Sequence, residues 1–260
     1  MKHKQSNKIL DQIATETSNI GNSQYQKKDT SPIVPQRSKF KGTLSIYERP
    51  DLTDKQKEFL NLALDNKSKL IFVSGPAGCS KTYMSILAGL KLLSQKKVSD
   101  IIYVRSIVES SDRSIGFLPG DLSEKVGIYM EPLHDKLMEL LPKNEIDVLK
   151  KDQRINAIPV SFLRGLNWNA KFILADEAQN MTMKETTTLI TRVGQHSKIL
   201  IIGDPEQSDI NGKSSFIKIM NIFDDEESRQ NGIYVFRFTE EDIVRSELVK
   251  FLVKKLRQTS

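Results

Sequence analysis

Five runs of apolar residues, Leu70–Val73, Ile101–Val104, Phe172–Ala175, Ile199–Ile202 and Ile233–Phe236, alternate along the chain with segments whose apolar residues recur at helical spacing. A strand that is apolar at every position is buried on both faces, and sheets buried on both faces are mainly parallel, with helices packed on either side. The pattern predicts an α/β fold. Helices are expected over Thr82–Leu93, Leu122–Leu141, Met183–Val193, Ser214–Ile222 and Glu240–Leu256, with another opening after Thr53 as its N-cap. A shorter strand is expected near Ala157–Phe162, and no internal repeat breaks this order.

Of the 260 residues, 38% are hydrophobic, which is enough for a substantial core. The first 45 are different: Lys, Ser, Asn, Gln and Thr dominate, so burial there is too small to offset ordering entropy. This predicts a polar, mobile tail over 1–45 and a folded domain over 46–260. Cys79 is the one cysteine, so no intramolecular disulfide forms, and no uncharged apolar run approaches the roughly 20 residues that cross a bilayer. No apolar leader stretch opens the chain, and the expected compartment is the cytoplasm. A net charge of +6 favours polyanions mildly and serves solubility equally well.

Directly after the first apolar run stands Gly75-Pro76-Ala77-Gly78-Cys79-Ser80-Lys81-Thr82, followed by a helical pattern. A strand, a glycine-bearing loop and a helix start are what a nucleotide's phosphates require: converging backbone N–H groups, little side-chain obstruction and the positive end of a helix dipole. Gly75 and Gly78 suit the close approach. Lys81 would bridge β- and γ-phosphates, and the Thr82 hydroxyl would ligate Mg²⁺. One position departs from G-x-x-x-x-G-K-[ST]: Ser80 stands where the second glycine is expected, tolerable if the dihedrals there are not strictly left-handed. Cys79, beside Lys81 and a helix N-terminus, is open to a lowered thiol pKa and a redox switch, against the plainer reading of a small filler.

The run Phe172–Ala175 ends in Asp176-Glu177-Ala178-Gln179, two carboxylates at the carboxyl end of a buried strand, where open α/β sheets place their ligands. Asp176 is expected in the outer sphere of the Mg²⁺, and Glu177 as the base that activates the water attacking a γ-phosphate. Ile199–Ile202 likewise runs into Gly203-Asp204-Pro205-Glu206-Gln207, and the Gln207 amide has donors and acceptors for both water and γ-phosphate. Gln56, early in the first helix, has an amide suited to adenine, with a surface role as the alternative.

Taken together these residues resemble the PhoH-like ATPases, a P-loop family related to the core of superfamily 1 helicases. The resemblance runs from about Leu52 to Leu252. It includes Gly116-Phe117-Leu118-Pro119-Gly120-Asp121-Leu122, Phe162-Leu163-Arg164-Gly165, Gly203-Asp204 with Gln207 and Asp209, and Arg237-Phe238-Thr239 with Asp242 and Val244-Arg245. It implies a P-loop NTPase, RecA-like in its mainly parallel sheet flanked by helices, that binds ATP through Gln56 and Gly75 to Thr82. Lys81, Glu177, Gln207 and one arginine would act in catalysis, with Thr82 and Asp176 at the metal. Arg105, Arg164 and Arg245 are the arginine candidates, and Arg164, acting across a homo-oligomeric ring such as a hexamer, is the preferred one. The implied work is ATP hydrolysis coupled to binding or remodelling RNA or single-stranded DNA, a helicase-like activity. Two other readings stand beside it: a nucleotide-dependent switch with a protein partner and little hydrolysis, and a small-molecule kinase.

Overall fold

The computed structural model describes residues 43–106, 122–163, 167–208, 210 and 214–244, with the backbone alone for 122–130. Outside the described residues lie 1–42 of the expected tail, 116–121, Arg164 and Gly165, Asp209, and Arg245 with the rest of the expected helix to Leu256.

Helix α1 (Asp54–Leu64) is followed by β1 (Leu70–Ser74), α2 (Lys81–Ser94), β2 (Asp100–Arg105), α3 (Leu122–Leu140), α4 (Lys143–Lys151), β3 (Ile155–Pro159) and β4 (Lys171–Asp176). Then come α5 (Met183–Ile190), β5 (Lys198–Gly203), α6 (Phe216–Ile222), α7 (Glu226–Gln230) and β6 (Ile233–Arg237). The six strands form one sheet in the order β3-β2-β4-β5-β1-β6, and every pairing is parallel. The expected α/β architecture is present.

Alternate residues of each strand point to opposite faces, and here both faces are covered. Ile71, Val73, Ile101, Phe172, Leu174, Leu200 and Ile202 meet the layer of α1, α2, α3 and α4. Leu70, Phe72, Ile102, Val104, Ile173, Ala175, Ile199 and Ile201 meet α5 and α6. This double burial is why the strands read as unbroken apolar runs. Packing is present from Leu44, which is buried and whose N–H donates to Ser94 Oγ (3.1 Å).

Several boundaries differ from expectation. The helix expected to Val193 stops at Ile190, the one expected from Ser214 starts at Phe216, and the short strand is Ile155–Pro159 followed by a 3₁₀ turn over Val160–Phe162. Within the expected Glu240–Leu256 helix, the described part is a 3₁₀ turn at Glu240–Asp242. Helices α4 and α7 were not expected. In α4 only Ile146 and Leu149 are buried, one short apolar contact among Lys, Asn, Glu and Asp, while α7 is five residues long.

At the opposite end of the sheet from the strand tips, Lys198 opens β5. Its ammonium donates to the carbonyls of Ala63 (2.6 Å) and Asp65 (2.6 Å) and to Ser68 Oγ (2.8 Å), closing the carboxyl end of α1. Burial depresses its pKa to about 8.

Candidate functional site

Parallel pairing sends the carboxyl ends of β1, β4 and β5 to one side of the sheet, with β5 between the other two. The three polar segments singled out in the sequence therefore meet there.

The loop after β1 is braced from behind by the segment after β6. The Phe238 N–H donates to the Ser74 carbonyl (2.8 Å), and the Val244 N–H donates to the Gly78 carbonyl (3.1 Å). Gly75 is required by this packing: a Cβ there would lie 2.6 Å from Phe238 Cβ and 3.2 Å from Cys79 Sγ. Gly78 has φ 96°, a left-handed backbone that glycine adopts without strain. Pro76 is buried, and Ala77 is partly exposed.

Ser80 corrects the sequence reading. It sits in the left-handed region at φ 64°, ψ 27°, so the serine occupies the conformation that the missing glycine would favour. Its side chain makes no capping bond, while its carbonyl accepts the Met84 N–H (2.9 Å) and starts α2. Cys79 also departs from the switch reading. Its thiol is buried and donates to the Pro76 carbonyl (3.0 Å), and burial pushes its pKa up despite Lys81 nearby. The small-filler role fits.

Lys81 Nζ donates to the carbonyls of Gly75 (2.6 Å) and Pro76 (2.9 Å), so the ammonium lies within the curve of the loop. Beside it, Thr82 Oγ1 donates to Asp176 Oδ2 (3.1 Å), which also accepts from the Tyr103 hydroxyl (2.8 Å). Asp176 Oδ1 accepts the Glu177 N–H (2.9 Å). Burial, with the neighbouring Glu177 charge, raises the Asp176 pKa; burial and the Asp176 charge push the Tyr103 phenol far above its usual range.

A hydroxyl and a buried carboxylate in contact, with no Lys or Arg of the described residues paired to that carboxylate, fit a hard divalent cation. Among the described residues no cluster of three or more His, Cys, Asp or Glu side chains forms a metal cage. Such a sparse donor set suits Mg²⁺, which keeps several waters and takes further oxygens from phosphates.

Glu177 is itself left-handed, at φ 55° and ψ 40°, and its carboxylate is held on both sides. Oε2 accepts from Gln179 Nε2 (2.6 Å), and Oε1 lies 3.8 Å from Arg105 Nη2. Gln179 is 1% exposed, and its amide spans two strand tips. Its Oε1 accepts the Asp204 N–H (3.0 Å) and its Nε2 reaches the Gln207 carbonyl (3.3 Å). Gln207 is exposed on that turn, its N–H donating to the Asp204 carbonyl (3.1 Å). Gly203 is small because a Cβ would lie 2.9 Å from Gln179 Oε1.

Lys81, Thr82, Asp176, Glu177 and Gln207 are thus gathered by three adjacent strands. Gln56 stands apart. It is 2% exposed, and its Oε1 accepts the Thr53 N–H (3.1 Å) while Thr53 Oγ1 accepts the Gln56 N–H (3.2 Å). That reciprocal capping box gives the glutamine a structural duty at the start of α1. One turn on, Phe59 contacts Phe236 and Phe238 behind the loop. Arg164 and Arg245 lie outside the described residues. Sequence reasoning missed Tyr103 and Gln179, and weighed Arg105 without its contact to Glu177. Their relevance depends on β2 lying beside β4 and β5 beside β4, which no local pattern reveals.

No helix among the described residues is long and apolar enough to cross a membrane. Residues 50–257 match the family model described as PhoH-like protein. A PhoH-like protein of Mycobacterium tuberculosis is 36% identical over 218 residues, covering 81% of this chain and 60% of the relative. One from Bacillus subtilis is 32% identical over 200 residues, covering 76% and 61%. The protein PhoH of Escherichia coli is 32% identical over 190 residues, covering 72% and 52%. The match therefore spans between about half and three fifths of these relatives. With a parallel α/β sheet that sets a phosphate loop beside an acidic strand tip, and with this likeness over most of its length, the chain belongs to the PhoH-like protein family, a family of P-loop NTPases.

Proposed function

We propose that the chain is an Mg²⁺-dependent ATPase that couples hydrolysis to binding or remodelling of RNA or single-stranded DNA, acting as a homo-oligomer. The observation that carries the hydrolytic part is the contact of Thr82 with Asp176 next to a Glu177 carboxylate held by Gln179 and Arg105. A binding loop alone needs no such carboxylate.

The amides of the loop after β1 would take the phosphates, and the Lys81 ammonium would exchange its bonds to the Gly75 and Pro76 carbonyls for phosphate oxygens. Thr82 and Asp176 would hold the Mg²⁺ end of the nucleotide. The ion supplies neutralisation of the charge that develops on the phosphate oxygens. Glu177 would take the proton of the attacking water, oriented by Gln179, with Gln207 on the neighbouring turn contacting water or phosphate. Arg164 of an adjacent copy is the arginine we assign to the transition state. The net charge of +6 mildly favours a polyanionic partner, and a cytoplasmic setting belongs to the same proposal.

The test is ATP hydrolysis by purified protein with Mg²⁺, with and without single-stranded RNA or DNA, against Glu177→Gln. Loss of a general base lowers the rate by about 10²-fold or more while nucleotide binding persists. A rate that rises with RNA or DNA supports coupling. Binding without any Glu177-dependent hydrolysis would replace the ATPase with the nucleotide-dependent switch.

A further inference from the structure

We infer that Tyr103 is a positioning residue for the metal-binding end of the site, its phenol holding Asp176 in the orientation that serves Thr82 and a divalent cation together. This deepens the ATPase reading and rests on it. Tyr103 lies in the middle of β2, where its backbone is in register with Leu174 of β4, two residues before Asp176. It is fully buried, and its neighbour in the same layer of β2, Ile101, is aliphatic. A phenol in such a place needs a hydrogen-bond partner, and among the described residues that partner is the carboxylate of Asp176.

The acceptor count gives the phenol its effect. An ionised carboxylate has about four acceptor positions. Among the described residues Asp176 uses three of them: Oδ2 accepts from Tyr103 and Thr82, and Oδ1 accepts the Glu177 N–H. Oδ2 is thereby filled, and the remaining acceptor position is on Oδ1. The Thr82 hydroxyl, with its proton committed to Oδ2, keeps its lone pairs for a cation. Without the phenol, Oδ2 gains an open position, the carboxylate is anchored by two bonds in place of three, and the Thr82 contact is no longer enforced. Among the described residues the hydrogen bond of the Tyr103 hydroxyl goes to Asp176, at the metal end of the site.

Tyr103→Phe keeps the ring and removes the donor. The loss of a group that orients a metal ligand lowers metal affinity by roughly tenfold or more. Mn²⁺ is the probe, an oxygen-loving ion whose free form is counted by electron paramagnetic resonance in the presence of ADP. Affinity for a fluorescent ADP in EDTA is measured alongside, with the melting temperature of each variant. The expected result is Mn²⁺ affinity about tenfold weaker in Tyr103→Phe, with the EDTA value unchanged. In an Asp176→Asn background, Tyr103→Phe adds less than about twofold, because contacting residues that act as a unit are not additive. Mn²⁺ affinity within twofold of the parent, or an equal loss in both backgrounds, overturns the role of Tyr103 while the ATPase reading stands. Failure of the unmodified protein to bind ADP, or to bind it more tightly with Mn²⁺, overturns that reading and this inference with it.

Discussion

Replacing Ser80 by glycine separates two ways in which a side chain in the phosphate loop could matter, its dihedral strain and its bulk. Ser80 is held at φ 64°, ψ 27°. An L-residue pays roughly 1–2 kcal/mol to sit in the left-handed region, which glycine does not. Against that, glycine raises unfolded-state freedom by roughly 0.5–1 kcal/mol. The difference predicts a gain of about 0.5 kcal/mol in folding stability for Ser80→Gly. Ser80→Ala keeps the strain and loses a hydroxyl that caps nothing, so it stays within about 0.5 kcal/mol of the parent. Because the backbone already has the left-handed twist, glycine gives nucleotide no new loop geometry, and its dissociation constant should change by less than about threefold, or roughly 0.6 kcal/mol. Urea unfolding and titration with a fluorescent nucleotide read the two quantities separately. Tenfold tighter binding by Ser80→Gly would mean that the Cβ obstructs phosphate, and a stability loss above about 1 kcal/mol would mean that the strained dihedral is not populated in solution.

Two further substitutions probe the frame around the site. Gly75→Ala sets a new Cβ 2.6 Å from Phe238 Cβ, two atoms fixed to their backbones, and is expected to cost about 1–3 kcal/mol by overpacking, read by urea unfolding. Adding Phe238→Ala gives no rescue, since the clash is with the retained Cβ. Lys198→Met strips the donor from three acceptors and is expected to cost about 1–3 kcal/mol at pH 7. The pH dependence has a definite sign: with its folded pKa near 8 and an ordinary value of 10.5, Lys198 carries a full burial penalty below pH 8 that is lost as pH rises toward 10.5. The unmodified protein should therefore gain up to about 3 kcal/mol relative to Lys198→Met over that window, and a gap that narrows with pH would contradict the assignment.

The fold was legible wherever chemistry and burial act locally. Ile199–Ile202 reads as a strand because both of its faces are covered, and Thr53 reads as a helix start because its hydroxyl has an amide to accept from. The phosphate loop and the acidic pair were legible because strand, loop and helix follow one another in sequence. Helix α4 was not, since two buried residues among charged neighbours leave little periodic signal. For Gln56 the residue type offered a base contact or a surface role, and the structure adds what type alone does not show, that its Oε1 accepts from a threonine three residues earlier. Ser80 could not be settled from composition, because a backbone angle decides it.

The strand order also dictates when the site is completed during synthesis or refolding. β1 carries the phosphate loop, yet Leu70 pairs with Ile199 on one side and with Ile233 on the other. The strand has no neighbour from its own part of the sequence, and Phe238 and Val244 brace the loop only after β6 has been made. Closing such distant pairings is slow, because chain entropy is lost before contacts reward it. A nascent chain ending before β5 would expose β1 with both edges unpaired, a template for wrong association. In this topology the proposed nucleotide binding would report that β6 has docked.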